Sequence, residues 1–134
     1  MIAVDTSVVV AAFATWHELH EAARATVDRG ARLPAHVALE TYSVLTRLPA
    51  PHRAPAGVAR DFLSDRFSKP YLTMEAGRCE SFIGGLPSRG IAGAAVYDAL
   101  IATIAVDAGA TLVSCDRRAA PTYERCDAVV EYLT

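Results

Sequence analysis

The chain has 134 residues, of which 52% are hydrophobic and 21% charged, so we expect one folded domain over residues 1–134 and exclude the disordered and collagen-like classes. Its formal net charge of -2 does not by itself decide whether nucleic acid is a partner. The three cysteines form no CxxC pair and no apolar run is long enough to cross a membrane, so we expect a cytoplasmic protein without a disulfide framework, zinc ribbon or membrane anchor.

The N-terminal half is predicted to alternate short extended segments with helices. MIAVD is typical of a strand that ends at an acid, whereas the β-branched run at 8–10 in TSVVVAAFA leaves helix and strand both possible. ELHEAARATVDRG has apolar residues at helical spacing and a stop signal at Gly30. ARLPAHV is predicted to be extended, and ALETYSVLTRL returns to helical spacing until the prolines at 49, 51 and 55.

The C-terminal half follows the same alternation. AGVARDFLSDRF is predicted to be an amphipathic helix, KPYLTM a short extended piece, and EAGRCESFIGGLPSRG a helix broken at Gly84, Gly85 and Pro87. Residues 91–106 are apolar on nearly every face apart from Asp98, which predicts a helix buried all round. ATLVS indicates a buried strand and AVVEYL an edge strand. Strands separated by helices predict an α/β fold with a central, mainly parallel, twisted sheet and helices on both faces.

Four acidic residues are predicted to meet at one edge of this sheet. Asp5 ends the first strand, and Asp116 follows the strand TLVS by one residue. The helices run back antiparallel to the strands, so the early turns that contain Glu40 and Asp98 should lie at the same edge. Ligands of such sheets bind beyond the carboxyl ends of the strands. We therefore expect the four carboxylates to share a site.

Four carboxylates that lie close together repel one another unless a cation neutralises them. Oxygen ligands without histidine or cysteine suit Mg²⁺ or Mn²⁺ better than zinc, and phosphodiester hydrolysis is the natural chemistry of such an ion. If four of the 15 acids were held by cations, the other 11 would face 13 basic residues. The net charge of -2 would then not oppose binding to nucleic acid.

Each acid also has an ordinary structural explanation. A single aspartate after a strand is most often a helix N-cap, which applies to Asp5 and Asp116, and Glu40 alone would usually be a solvated helix residue. Asp98 is the hardest to explain in this way, because an unpaired carboxylate inside a core costs several kcal/mol. The structural alternative for Asp98 is an ion pair with an arginine.

The segments VDTS, LETYSVLTRLP and YDALIATIAVDAGATLVSCDRRAAPTY resemble the PIN-domain ribonucleases of the VapC type, the toxin half of bacterial type II toxin–antitoxin pairs. The resemblance covers nearly the whole chain. It implies a three-layer PIN-like fold and an acidic quartet, Asp5, Glu40, Asp98 and Asp116, that binds one or two Mg²⁺ or Mn²⁺ ions. It also implies endonucleolytic cleavage of RNA by metal-activated water, with arrest of translation and growth.

The same resemblance implies supporting residues and partners. Thr6, Ser7 and Ser114 match small polar positions that support the carboxylates, and Arg117 and Arg118 are candidate contacts to RNA phosphates. Members of the family usually form homodimers and are silenced by a cognate antitoxin whose C-terminal segment covers the site. The apolar run SVVVAAFATW and the helix at 37–48 could supply a groove for that segment.

Other readings of the sequence are weaker. A haloacid-type phosphatase needs a second acid two residues after the first, where Ser7 stands, and a response-receiver domain needs a lysine after a late core strand, which Lys69 does not provide. A catalytically silent PIN-like binding module and a metal-dependent nuclease outside a toxin–antitoxin pair remain as alternatives. His36 precedes Glu40 by four residues and so could approach the acidic edge.

Overall fold

The computed structural model describes all residues 1–134 as a three-stranded parallel sheet with seven α-helices. The strands are β1 (Ile2–Val4), β2 (Thr111–Ser114) and β3 (Val130–Tyr132), in the order β1-β2-β3. The helices are α1 (Thr6–Phe13), α2 (His20–Asp28), α3 (Ala35–Thr46), α4 (Ala56–Arg66), α5 (Ala76–Gly85), α6 (Ala95–Asp107) and α7 (Ala120–Arg125). Short 3₁₀ turns occupy Pro87–Arg89 and Arg117–Ala119. None of the helices is long and apolar enough to cross a membrane.

The sheet is centred on β2, which pairs in parallel with β1 and β3. On the outer side of β1, the extended segments predicted at 31–37 and 69–74 add two parallel bridges, Ala3 to Arg32 and Pro34 to Leu72. Each of these pairings is one residue long. The extended conformation predicted at 69–74 is thus confirmed, whereas that predicted at 31–37 holds only before Ala35, where α3 begins. Strand β3 lies at the edge of the sheet as predicted.

Both faces of the sheet are covered. Ala3, Val4, Leu112 and Val113 are almost fully buried. Because successive side chains of a strand point to opposite faces, this burial requires a helical layer on each side. Helices α1 and α6 both contact β2. The predicted three-layer α/β architecture is confirmed.

The ambiguous run at 8–10 belongs to helix α1. The carboxylate of Asp5 accepts a hydrogen bond from the backbone N–H of Val8 at 3.3 Å and so caps the first turn. Val8, Val9, Ala11 and Ala12 are buried, and the helix packs against α2 and α3. Tertiary packing together with the cap outweighs the preference of β-branched residues for strands.

The expectation that residues 91–106 are buried all round is wrong for their first part. Helix α6 begins at Ala95, residues 92–94 are exposed, and the side chain of Tyr97 is 55% exposed. Continuous burial starts at Ile101. The first turn borders an open pocket, so Asp98 is only half buried there.

Candidate active site at the carboxyl edge of the sheet

All four predicted acids line one small pocket at the carboxyl ends of β1 and β2. The pocket has a volume of about 60 Å³, enough for an ion with several water molecules. Eight residues line it: Asp5, Thr6, Ser7, Glu40, Asp98, Ile101, Asp116 and Tyr123. The elements that deliver the acids are the end of β1, the second turn of α3, the first turn of α6 and the loop after β2.

Asp5 is the most deeply buried of the four acids, with 3% of its surface exposed. Its Oδ1 accepts hydrogen bonds from the Ser7 hydroxyl and the Val8 N–H, and its Oδ2 accepts one from the Tyr123 hydroxyl at 2.8 Å. Burial raises the pKa of Asp5, and these hydrogen bonds oppose the rise because they stabilise the carboxylate. Asp5 is therefore both the N-cap of α1 and a wall of the pocket.

The three predicted supporting hydroxyls connect the acids to the backbone. Thr6 donates a hydrogen bond to Oε1 of Glu40. The Ser7 hydroxyl donates to Asp5 and accepts from the N–H of Cys115 at 2.8 Å. The Ser114 hydroxyl accepts from the N–H of Asp116 at 2.9 Å. The start of α1 and the loop after β2 are thereby held together around the pocket.

Asp98 accepts no hydrogen bond and forms no ion pair, so the alternative of an arginine partner is not what the structure shows. Burial raises the pKa of Asp98, and repulsion by Glu40, Asp116 and Asp5 raises it further. His36 acts in the opposite direction. The part of the pKa shift that comes from repulsion shows that the acids lie close enough to interact electrostatically across the pocket.

Asp116 lines the pocket and is followed directly in the chain by two arginines. Asp116 caps the 3₁₀ turn, and its Oδ1 accepts from the Arg118 backbone N–H at 3.0 Å and from Arg118 Nε at 3.2 Å. The guanidinium of Arg117 lies 4.5 Å from the centre of the Tyr132 ring, a cation–π contact. Both arginines remain exposed.

His36 does approach the acidic edge. Its Nε2 lies 3.5 Å from Oε2 of Glu40, and its ring stacks on that of Tyr97 with 2° between the ring planes. Sequence reasoning missed Tyr97 and Tyr123 as neighbours of the acids. Tyr97 stands directly before Asp98 in an early helical turn, a signal that could have been used, whereas nothing local in PTYERC indicates that the hydroxyl of Tyr123 reaches Asp5.

The donor set suits a hard divalent cation, because it consists of carboxylate and hydroxyl oxygens. As they stand, no three acids, histidines or cysteines converge closely enough to hold a metal ion. Mutual repulsion favours such spread positions, so the carboxylates would have to move closer together to coordinate an ion. The pocket is nevertheless suited to a metal ion, because its oxygen ligands are of the right kind and four carboxylates line it together.

Two larger cavities on the α5 side of the molecule lack this chemistry. One, of about 130 Å³, is lined by Arg78, Arg89 and Cys126 among others. Arg78 donates to Asp107 at 3.0 Å, and Arg89 lies 3.8 Å from Asp127. Because each arginine is paired with an acid, these cavities do not group several side chains of the same charge as the acidic pocket does.

Comparison with known proteins agrees with the fold. The PIN domain family model matches residues 2–124. Ribonuclease VapC40 of Mycobacterium tuberculosis, in strains CDC 1551 and H37Rv, is 49% identical over 134 residues, which is 100% of both chains. Ribonuclease VapC27 of strain H37Rv is 43% identical over 126 residues, 92% of this chain and 90% of that protein.

Among solved structures, the crystal structure of FitAcB from Neisseria gonorrhoeae superposes with a TM-score of 0.69. The match covers 97% of this chain and 96% of that chain, at 19% sequence identity, and therefore speaks for the fold alone. The identity to VapC40 over its full length and to VapC27 over 90% of its length shows the closer relationship. The chain belongs to the PIN-domain family, in its VapC-type branch.

Proposed function

We propose that the protein is a divalent-metal-dependent endoribonuclease that serves as the toxin of a toxin–antitoxin pair. The observation that carries this proposal is the shared pocket of Asp5, Glu40, Asp98 and Asp116. It occurs in a chain 49% identical over its full length to a protein named as a ribonuclease. Cleavage of RNA would arrest translation and growth.

The four carboxylates hold Mg²⁺ in this proposal, and Mn²⁺ substitutes for it. The bound ion would activate water and stabilise the negative charge that develops at the phosphoryl group. Asp5 contributes a carboxylate fixed by hydrogen bonds, and Thr6 orients Glu40. Asp98 contributes a carboxylate with no partner in the protein, which is free to take an ion.

The RNA backbone must approach a pocket of negative charge, so positive side chains at its mouth are needed. Arg117 and Arg118 are exposed and are proposed to contact phosphates. The contact with Tyr132 fixes the guanidinium of Arg117. Arg118 forms an ion pair with Asp116, so a phosphate bound by Arg118 would lie close to one of the proposed metal ligands.

The proposed partners are a cognate antitoxin and a second copy of the chain. On the helix predicted at 37–48 to supply a groove, Leu39 and Tyr42 are exposed, and core packing does not account for them. A covering antitoxin segment would bury both. Three free cysteines agree with action in the reducing cytoplasm, where the RNA substrate is found.

A cleavage assay with matched variants tests the enzymatic part. Wild-type protein should cut a labelled RNA with Mg²⁺ or Mn²⁺ and not in EDTA, and Asp98→Asn should abolish cutting. The control is Asp107→Asn, because Asp107 lies on the same helix but pairs with Arg78 away from the pocket. Activity that survives EDTA or Asp98→Asn would contradict the site. RNA binding without any cleavage would favour the silent binding module.

A growth assay tests the biological part. Expression of the wild-type chain should stop growth, expression of Asp98→Asn should not, and co-expression of the neighbouring small open reading frame should restore growth. Failure of every adjacent gene to restore growth would count against the toxin–antitoxin pair. The nuclease would then stand outside such a pair.

A further inference from the structure

Tyr123 is a buried side chain whose polar end reaches the candidate active site. It comes from α7, far along the chain from β1, and only 1% of its surface is exposed. Its hydroxyl donates a hydrogen bond of 2.8 Å to Oδ2 of Asp5. The hydrogen bonds from Ser7 and Val8 go to the other oxygen, Oδ1.

The carboxylate of Asp5 is thus held from two sides by different elements. Ser7 and Val8 of α1 hold Oδ1, and Tyr123 of α7 holds Oδ2. Oδ1 uses both of its lone pairs in these bonds, whereas Oδ2 keeps one for a further ligand. Together the donors fix the plane of the carboxylate, so that the remaining lone pair of Oδ2 points in a set direction.

A tyrosine used only for packing would not need a hydroxyl at this place. The ring of Tyr123 belongs to the main hydrophobic core, which a phenylalanine would fill equally well. The hydroxyl instead ends in the acidic pocket, on the most buried of its carboxylates. Partners of this kind commonly orient metal ligands, and their loss typically lowers metal affinity about 10- to 100-fold.

We propose that Tyr123 is a positioning residue of the metal site, which orients Asp5 and thereby sets the affinity for the divalent ion. This inference rests on the metal-dependent function proposed above. It assigns to α7 a direct part in the site, although no residue of α7 carries a charge into the pocket.

The test is a titration of Mn²⁺ into the full chain by calorimetry, in the absence of RNA. Tyr123→Phe keeps the buried ring and removes the hydroxyl, and we expect it to bind Mn²⁺ about 10- to 100-fold more weakly than the wild type. The control is Tyr71→Phe, because Tyr71 is exposed and does not line the pocket. Its Mn²⁺ affinity should equal that of the wild type.

Two further measurements separate positioning from a general structural role. The Mn²⁺ concentration for half-maximal cleavage should rise by the same factor in Tyr123→Phe, while the KM for RNA at saturating Mn²⁺ stays unchanged. Thermal melting in EDTA verifies that the variant is folded. If Tyr123→Phe has a lower melting temperature but binds Mn²⁺ as tightly as the wild type, the positioning role of Tyr123 is wrong and the proposed function is unaffected. A wild-type protein that binds no Mn²⁺ would overturn the metal-dependent function and this inference with it.

Discussion

Asp98 is a half-buried carboxylate with three acidic neighbours and no hydrogen-bond donor. Without a divalent ion its charge destabilises the fold, so Asp98→Asn should raise the free energy of unfolding in EDTA. Because the side chain is partly solvated, we expect a gain of no more than about 1 kcal/mol. Urea unfolding of both proteins measures it. A clear loss of stability would show that Asp98 has a structural partner.

The pH dependence of that gain follows from the raised pKa of Asp98, which burial causes first and the neighbouring acids second. The folded state holds this proton more tightly than the unfolded state does. The resulting stabilisation is complete below the unfolded pKa and is lost as the pH rises through the folded pKa.

The stability difference between Asp98→Asn and the wild type in EDTA should therefore be small near about pH 4 and grow towards about pH 7. Urea unfolding at several pH values checks this. A difference that stays constant, or that shrinks as the pH rises, would mean that the charge of Asp98 is compensated within the protein.

At the start of helix α1, one residue both caps the helix and lines the candidate active site. Asp5 caps the helix through Val8 and also lines the pocket. Asparagine is a good N-cap and alanine a poor one. Asp5→Asn and Asp5→Ala both remove the charge, so Asp5→Ala should be the less stable of the two by about 1 kcal/mol.

Thermal or urea unfolding of the two Asp5 variants in EDTA measures how much the N-cap contributes to stability. Neither variant should cleave RNA. Equal stability would show that the hydrogen bond to Val8 contributes little. Cleavage by Asp5→Asn comparable to that of the wild type would remove Asp5 from the proposed ligands.

Most elements could be predicted from the sequence because helical periodicity and proline or glycine stops are local signals. The features that could not be predicted depend on contacts between elements. The run at 8–10 became a helix through its cap and its packing on α2 and α3, and the segments around Arg32 and Leu72 pair through single bridges that no local pattern defines. Residues 92–94 lie before α6 and are exposed, which their apolar composition did not reveal.

The grouping of the four acids could be predicted because strand direction decides which edge an element ends on. The contacts among side chains could not. Tyr123 reaches Asp5 from α7, far along the chain, and the exposed Arg118 side chain donates to Asp116. Such contacts depend on rotamers and packing, which a single sequence does not fix.

At the scale of the whole molecule, the net charge of -2 conceals an uneven distribution. Four of the 15 acids share one pocket, and the exposed Arg117 and Arg118 directly follow one of these acids in the chain. If ions neutralise the pocket, the rest of the surface is net basic and should bind RNA with a marked dependence on salt.

The Asp98→Asn protein allows this binding to be measured without cleavage, by RNA affinity at several salt concentrations. Adding Arg117→Ala should lower the slope of log affinity against log salt by about 0.7 to 1, the contribution of one phosphate contact. The control is Arg60→Ala on α4, because Arg60 is paired with Asp61 at 3.0 Å and α4 contributes nothing to the pocket. An equal change in slope for Arg60→Ala would mean that RNA binds the surface without a preferred path, and that the arginines beside Asp116 do not guide the phosphodiester to the acids.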